Sequence, residues 1–456
     1  MRVLLVSTYE LGHQPLHLAS PAARLLADGH EVRCLDLAVE DWDDERFAWP
    51  EKVAFSVPMH TAMRLAVPAV DRLRRARPDV PVAFYGLYAA VGAHSPLRAL
   101  RIVGEYEDEL AKWASDDFEG DNTRTDLGRK HFATPARHLL PPLERYAKLE
   151  IDGEQRLAGY VEASHGCRHR CRHCPIPAVY DGRYRVNGLE TVLADIAQLV
   201  AMGARHITFG DPDFLNAPRY ALDVLREVSC NFPSLTLDLT VKVEHIVDHA
   251  EIWEEMAGLG VVFVVSAFET TNERVLGLLD KGHTASDMAV ATKMLRSVGI
   301  AVRPSWMPFT PWTEARDLAD IMRFLADHDL LESTDPVQMS IRLLLPEGSL
   351  LLGLPESAPF LTGYDADLLT YTWRAADPAA DRLQTELAVL AEEGIDDPWA
   401  TIGHMWNLVM DDQPFPDRSG EIAPRLTESW FCCAEPTSHQ LSGVRSVELV
   451  NKREKQ

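Results

Sequence analysis

A chain of 456 residues exceeds one typical core, and with 46% hydrophobic and 25% charged residues it has the profile of a soluble globular protein of two or three domains. It holds no stretch of about 18 uncharged apolar residues, and residues 2–6 enter a strand pattern with no signal-peptide features, so a cytoplasmic protein without a membrane span is expected. The 45 basic against 69 acidic side chains leave a net charge of -24, which would repel a phosphate backbone and argues against nucleic acid as a partner.

In chain order, short apolar runs at 3–6, 31–37, 53–57 and 82–85 alternate with helical patterns at 18–26 and 62–75. Strands alternating with helices predict a parallel sheet, with ligands expected beyond the strand ends near 7–13, 56–60 and 86–89. Residues 104–150 change character, from acids such as Glu105, Glu107, Asp108 and Glu109 to Pro141-Pro142, and read as a connecting segment. Strand candidates then recur at 160–163, 206–209, 236–243, 261–266, 300–305 and 337–344. Helical stripes lie between them, such as Leu189, Val192, Leu193 and Ile196. Six such units closing on themselves make a partial barrel whose chemistry belongs at the carboxyl edge of its strands. Beyond Pro346 the pattern loosens into helices rich in Leu, Trp and acid, such as 365–373 and 381–393, and ends in a charged tail at 444–456.

Seven cysteines are too few and too unevenly placed for a secreted disulfide framework. Cys34 and Cys230 stand alone and read as small buried hydrophobes. Cys167, Cys171 and Cys174 instead crowd the loop after the first barrel strand, within a basic island of Arg168, His169, Arg170, Arg172 and His173. Three thiolates can each take one iron of a cubane and leave the fourth iron open. Zinc with His165, His169 or His173 as a further ligand, a disulfide with a spare thiol, and a chance cluster are the competing readings.

At these residues the chain resembles the radical S-adenosylmethionine superfamily, defined by Cys-x3-Cys-x2-Cys in this loop. The resemblance implies a four-iron, four-sulfur cluster that binds S-adenosylmethionine and, reduced by an external flavodoxin or ferredoxin type donor, cleaves it. It implies that His173 replaces the usual aromatic neighbour of adenine. The run Phe209-Gly210-Asp211-Pro212-Asp213-Phe214 takes the place of the family's Gly-Gly-Glu segment, with an ordinary Asp-Pro turn as the alternative. Lys242 and Glu244 on the third strand, Ser266 and Glu269 on the fourth and Arg303 on the fifth put polar groups in apolar segments. By analogy Glu269 meets the ribose or amine and Arg303 the carboxylate; ion pairs inside the barrel are the alternative.

Phe268-Glu269 to Leu278, followed by Lys281-Gly282-His283-Thr284, resembles members with an N-terminal cobalamin-binding domain, as do the first hundred residues. The Asp-x-His-x-x-Gly signature is absent, since the first loop reads Ser7-Thr8-Tyr9-Glu10-Leu11-Gly12-His13, so cobalamin either binds without histidine ligation or has been lost. Near the end, Cys432-Cys433-Ala434-Glu435-Pro436 resembles a radical S-adenosylmethionine group recognised by this tail, in which selenocysteine can replace the first cysteine. Adjacent thiols can shuttle electrons or chelate a soft element; two thiols filling space is the alternative.

The resulting expectation is an α/β chain. A flavodoxin-like, cobalamin-binding-like domain spans 1–103 and a linker 104–150. A partial (β/α)6 radical S-adenosylmethionine barrel spans 151–345, and a mainly helical region with the Cys-Cys motif spans 346–456. The expected activity moves methyl or 3-amino-3-carboxypropyl to a small acceptor, such as arsenic or selenium held by Cys432 and Cys433. Hydrogen abstraction through a 5'-deoxyadenosyl radical and a non-catalytic iron-sulfur sensor are the alternatives.

Overall fold

The computed structural model describes residues 1–92, 98–116, 122–128, 132–394, 397–411, 413–418, 422–428 and 434–442. They form two compact units, one drawn from 1–146 with 366–369 and 436–442, the other from 147–365 and 370–435. Among the described residues no helix is long and apolar enough to cross a membrane.

In the N-terminal unit β1 (Arg2–Ser7), α1 (Leu16–Ala27), β2 (Glu31–Asp36), α2 (Asp44–Ala48), β3 (Lys52–Ser56), α3 (His60–Ala76) and β4 (Val82–Tyr85) follow the expected alternation. Two more strands, β5 (Leu100–Gly104) and β6 (Thr123–Asp126), flank α4 (Glu107–Ser115) and complete a parallel sheet of order β2-β1-β3-β4-β5-β6. The five residues of β3 are all buried, as a strand covered on both faces requires. The strand order reverses between β1 and β3, so the loops after those strands frame a flavodoxin-type switch point. The segment 104–150 is therefore more than a connector: α4 packs on α1, and Tyr146 donates to Asp36 at 2.9 Å.

The second unit opens with an antiparallel pair, β7 (Lys148–Ile151) and β8 (Glu154–Val161), and a small pair, β9 (Ser164–Gly166) and β10 (Tyr184–Val186), around α5 (Pro175–Tyr180). The barrel continues through α6 (Leu189–Ala201), β11 (His206–Phe209), α7 (Pro218–Asn231), β12 (Thr236–Thr240), α8 (Val243–Asp248), α9 (Trp253–Gly258) and β13 (Val261–Glu269). It ends with α10 (Glu273–Leu279), α11 (Ala285–Ser297), β14 (Ala301–Trp306) and α12 (Ala315–Asp327). Downstream lie β15 (Leu361–Asp365), β16 (Thr370–Trp373), α13 (Pro378–Glu393), α14 (Pro398–Val409) and β17 (Arg425–Leu426), with α15 (Ser438–Ser442) in the N-terminal unit.

Strands β8, β11, β12, β13 and β14 are parallel neighbours, and β7 and β17 extend the sheet beyond β8. The sheet curls until its ends approach: Leu426 of β17 packs with Leu149, Phe263 and Val265, and Arg303 of β14 reaches Pro424 O at 3.5 Å. The strand expected at 337–344 is instead a 3-10 turn, Pro336–Ser340, followed by one parallel bridge between Phe309 and Arg342. Gln338 explains the substitution, because its side-chain oxygen accepts Trp306 N–H at 3.0 Å, the bond a further strand would have made. Residues 365–373, expected as a helix, lie in the β15–β16 hairpin region, where Tyr364 and Tyr371 pair across the strands. Lys242 and Glu244 lie just past β12, as the N-cap and first turn of α8, rather than on the strand.

Candidate functional site

The cysteine loop leaves the carboxyl edge of the barrel through Gly166, whose φ of 75° sets a turn that a side chain would block against Arg183 and Tyr180. Four anchors shape the loop from below and from the sides. Asn216 accepts Arg168 N–H at 3.0 Å and points its amide at Cys167 Sγ, 3.6 Å away. Arg172 N–H donates to Leu279 O at 2.9 Å, and its guanidinium caps the carbonyls of Gly277 and Leu278 at the end of α10. The remaining two anchors are histidines.

His173 places Nε2 3.0 Å from Glu269 Oε1, which also receives Lys281 Nζ at 2.9 Å. Glu269 ends β13 at a bulge, is buried, and holds a φ of 67° that favours glycine. Burial alone would raise its carboxyl, but Lys281 and then His173 outweigh that and hold it well below the usual carboxylate range. On the other side, His169 lies between Cys167 and Cys171, with Nδ1 2.9 Å from Lys242 Nζ and Nε2 3.2 Å from His245 Nε2. His245 Nδ1 in turn lies 2.7 Å from Asp213 Oδ2, and Lys242 Nζ also meets Glu244 Oε2 at 2.9 Å.

Cys167 and Cys171 are buried, Cys174 is half-buried, and none of the three is disulfide-bonded. Burial pushes the Cys167 thiol up to about 12, with Asp213 adding to the rise, while burial of Cys171 is opposed by Lys281 and Lys242. Three unbridged thiols on an eight-residue loop, with two lysines close to the middle one, suit an anionic thiolate-held cluster. The donor set fits the four-iron, four-sulfur group.

The other expected site residues divide. Asp211 uses both carboxylate oxygens internally, accepting Ala163 N–H at 2.9 Å and the Ser164 hydroxyl, and burial raises it to about 7. Gly210 leaves room for the Tyr160 ring, with which any Cβ would collide. Ser266 Oγ and His173 Nδ1 are buried polar atoms without hydrogen-bond partners among the described residues, so both are available to a ligand. Arg303 instead pairs with Asp335 at 2.6 Å inside the barrel. Cys432 and Cys433 lie outside the described residues. The following segment is placed, with Ala434 bridging Leu343 and Glu435 N–H donating to Arg342 O at 3.0 Å.

His245, Asn216 and Lys281 complete the site without having been assigned a role from sequence. Lys281 had a signal, the Lys-Gly-His-Thr run after β13; Asn216 and His245 had none, because only folding brings them to the cysteine loop. Of the isolated cysteines, Cys230 is exposed on α7 rather than buried, and Cys34 is half-buried.

Residues 161–325 match the family model described as "Radical SAM superfamily". A hopanoid C-2 methylase of Rhodopseudomonas palustris (strain TIE-1) is 26% identical over 292 residues, which cover 61% of this chain and 53% of the methylase. This chain thus spans about half the length of that relative. Other curated relatives, matched over less of the chain, are named as tRNA-2-methylthio-N(6)-dimethylallyladenosine synthases. Among solved structures, the cobalamin-dependent S-adenosylmethionine radical enzyme OxsB with aqua-cobalamin bound superimposes with a TM-score of 0.66 at 14% identity, over 86% of this chain and 67% of its own. The radical S-adenosylmethionine methyltransferase TsrM from Kitasatospora setae gives 0.57 at 19%, over 72% and 71%. By this match the barrel segment 161–325 is a radical S-adenosylmethionine domain, of a family that uses a four-iron, four-sulfur cluster and S-adenosylmethionine.

Proposed function

We propose that this protein is a radical S-adenosylmethionine methyltransferase acting on a small molecule. The reading is carried by the three unbridged thiols at the barrel's carboxyl edge, in a chain that also holds a parallel sheet of flavodoxin order. Cys167, Cys171 and Cys174 would hold the cluster, which, given an electron from an external donor, would supply reductive cleavage of a carbon-sulfur bond of S-adenosylmethionine. The chain's own residues do the rest. Lys281 and Lys242 offset the negative charge of the thiolates, and His173, fixed by Glu269, presents its ring where the adenine is expected. Ser266 Oγ, buried without a partner among the described residues, would offer a hydrogen bond to the ribose or amine, and the Gly210 to Asp213 segment is assigned to the methionine end by analogy with the family's Gly-Gly-Glu segment.

The N-terminal unit carries cobalamin as the methyl carrier in this proposal. Its strand-end loop is internally bonded: Thr8 Oγ1 donates to Ala62 O at 2.9 Å, and His17 contacts Glu10 at 2.9 Å. No Asp-x-His-x-x-Gly histidine is presented, so backbone and loop contacts would hold a corrinoid without an axial imidazole from that motif. The acceptor in this reading is a soft atom, trivalent arsenic or selenium, bound by Cys432 and Cys433. A net charge of -24 supports a small acceptor over nucleic acid.

The test is anaerobic reconstitution with iron, sulfide, cobalamin, S-adenosylmethionine and a reductant, with arsenite, selenite or bulk tRNA as acceptor, followed by mass analysis. S-adenosylhomocysteine with a methylated arsenic or selenium product is the expected result. Methylthioadenosine would replace methyl by aminocarboxypropyl transfer, and 5'-deoxyadenosine alone would replace transfer by hydrogen abstraction. Methylated tRNA would overturn the acceptor assignment.

A further inference from the structure

The barrel edge carries a second set of metal-ligand atoms besides the three thiols. His169 from the cysteine loop, Asp213 from the turn after β11 and His245 from α8 converge until one ligand atom of each lies within 4.8 Å of the others. We propose that these three residues bind a divalent first-row transition ion of the zinc class, separate from the iron-sulfur cluster and without any thiolate.

The spacing comes close to that of such an ion. Zinc-imidazole bonds of about 2.0–2.1 Å in a tetrahedron put neighbouring ligand atoms roughly 3.3 Å apart. His169 Nε2 lies 3.2 Å from His245 Nε2 and 3.6 Å from Asp213 Oδ2, while Asp213 faces the other nitrogen of His245, so the His245 ring turns to give the ion one nitrogen, within the 4.8 Å that bounds the three ligand atoms. Asp213 is almost wholly buried, and its Oδ2 lies 2.7 Å from His245 Nδ1 without an aligned hydrogen bond. Two imidazoles and one carboxylate leave a fourth position open, the pattern of sites that hold water or substrate on the metal.

Lys242 supplies the reason the arrangement can accept an ion. Without metal, its ammonium donates to His169 Nδ1 at 2.9 Å, which leaves the proton of a neutral His169 on Nε2, aimed at His245. With metal on Nε2, that proton must sit on Nδ1, and Lys242 has a second acceptor ready in Glu244 Oε2 at 2.9 Å. Glu244 Oε2 is 3.8 Å from His169 Nδ1 and becomes its acceptor, giving the carboxylate behind histidine that metal sites commonly use. The ion therefore binds through a tautomer shift, a turn of the His245 ring and a small lysine movement, with no rearrangement of the barrel.

The experiment uses the full chain with Cys167, Cys171 and Cys174 all changed to Ala, which removes the cluster. Zinc(II) is titrated against a chromophoric chelator, and cobalt(II) is added to read its visible bands. One equivalent of zinc should bind, and the cobalt spectrum should lack thiolate charge-transfer absorption. Adding His245→Gln or Asp213→Asn should weaken zinc at least tenfold with circular dichroism unchanged, whereas adding Cys432→Ser and Cys433→Ser should leave it intact. Zinc affinity that survives His245→Gln and Asp213→Asn, or disappears with the tail cysteines, overturns the site. Should the triple variant fail to fold, metal analysis of the reconstituted holoenzyme decides. Zinc beyond the cluster iron must be present and must vanish in His245→Gln while iron stays constant; zinc that is absent or unaffected overturns the proposal.

Discussion

Glu269 combines a buried charge with a backbone angle that a β-carbon disfavours, a pairing of costs that proteins retain at functional positions. Its carboxylate is the shared acceptor of His173 and Lys281, so it fixes the residue before Cys174 and neutralises a buried ammonium at once. Glu269→Gln keeps the shape and removes the charge, leaving Lys281 buried without its counter-ion. The expected cost is about 3–5 kcal/mol in urea unfolding, together with loss of S-adenosylmethionine cleavage. Wild-type stability with lost cleavage would assign Glu269 to ligand binding alone. A second buried acid works in the opposite sense. Asp36 is raised to about 7 by burial, against the hydrogen bonds from Ala38 and Tyr146 that favour its anion. Its folded pKa lies above the unfolded value of 3.8, so the folded state holds the proton more tightly between those values. Stability should therefore fall as pH rises from about 4 to 7. Asp36→Asn should flatten that slope, as read by thermal unfolding at pH 4.5 and 7.5, and an unchanged slope would assign it to other groups.

At the level of elements, the strands that sequence made legible are those with continuous apolar runs. Both β1 and β3 announce themselves this way, whereas β6, with the sequence Thr-Arg-Thr-Asp, is a polar edge strand without apolar periodicity. Arg101 disguises β5, because its buried guanidinium is taken up by the carbonyls of Ala89 and Gly92, groups that only the folded chain brings near. The Cys-x3-Cys-x2-Cys spacing is local and so was readable; the His245 and Asn216 contacts to it span 76 and 49 residues and were not. The missing sixth strand belongs to the same class, since a glutamine side chain standing in for a strand backbone has no signature in composition. That substitution is testable. Gln338→Leu keeps the bulk but strands the buried Trp306 N–H, and should destabilise the protein by about 1–3 kcal/mol. An unchanged denaturation midpoint would mean that the amide is satisfied another way.

Across the whole chain, the proposed function gives the two cysteine sets separate work, one starting the radical chemistry and the other receiving the group moved. The first set sits on a loop held by Arg168 N–H on Asn216 and by protein hydrogen bonds of Arg172, His169 and His173, none of which runs through a cysteine thiol. Changing Cys167, Cys171 and Cys174 to Ala should therefore abolish iron binding and cleavage while leaving the fold intact by circular dichroism. For the second set, only the segment just after it is placed, tied to Arg342 and Leu343 through Glu435 and Ala434. Cys432→Ser with Cys433→Ser should retain the cluster absorbance and cleave S-adenosylmethionine, but transfer nothing to arsenite or selenite. If the pair binds the acceptor, cleavage without acceptor methylation must appear in that variant, because the bond-breaking machinery is untouched. Loss of cleavage together with transfer would instead place Cys432 or Cys433 in the electron path to the cluster, and unimpaired transfer would remove the tail from the chemistry altogether.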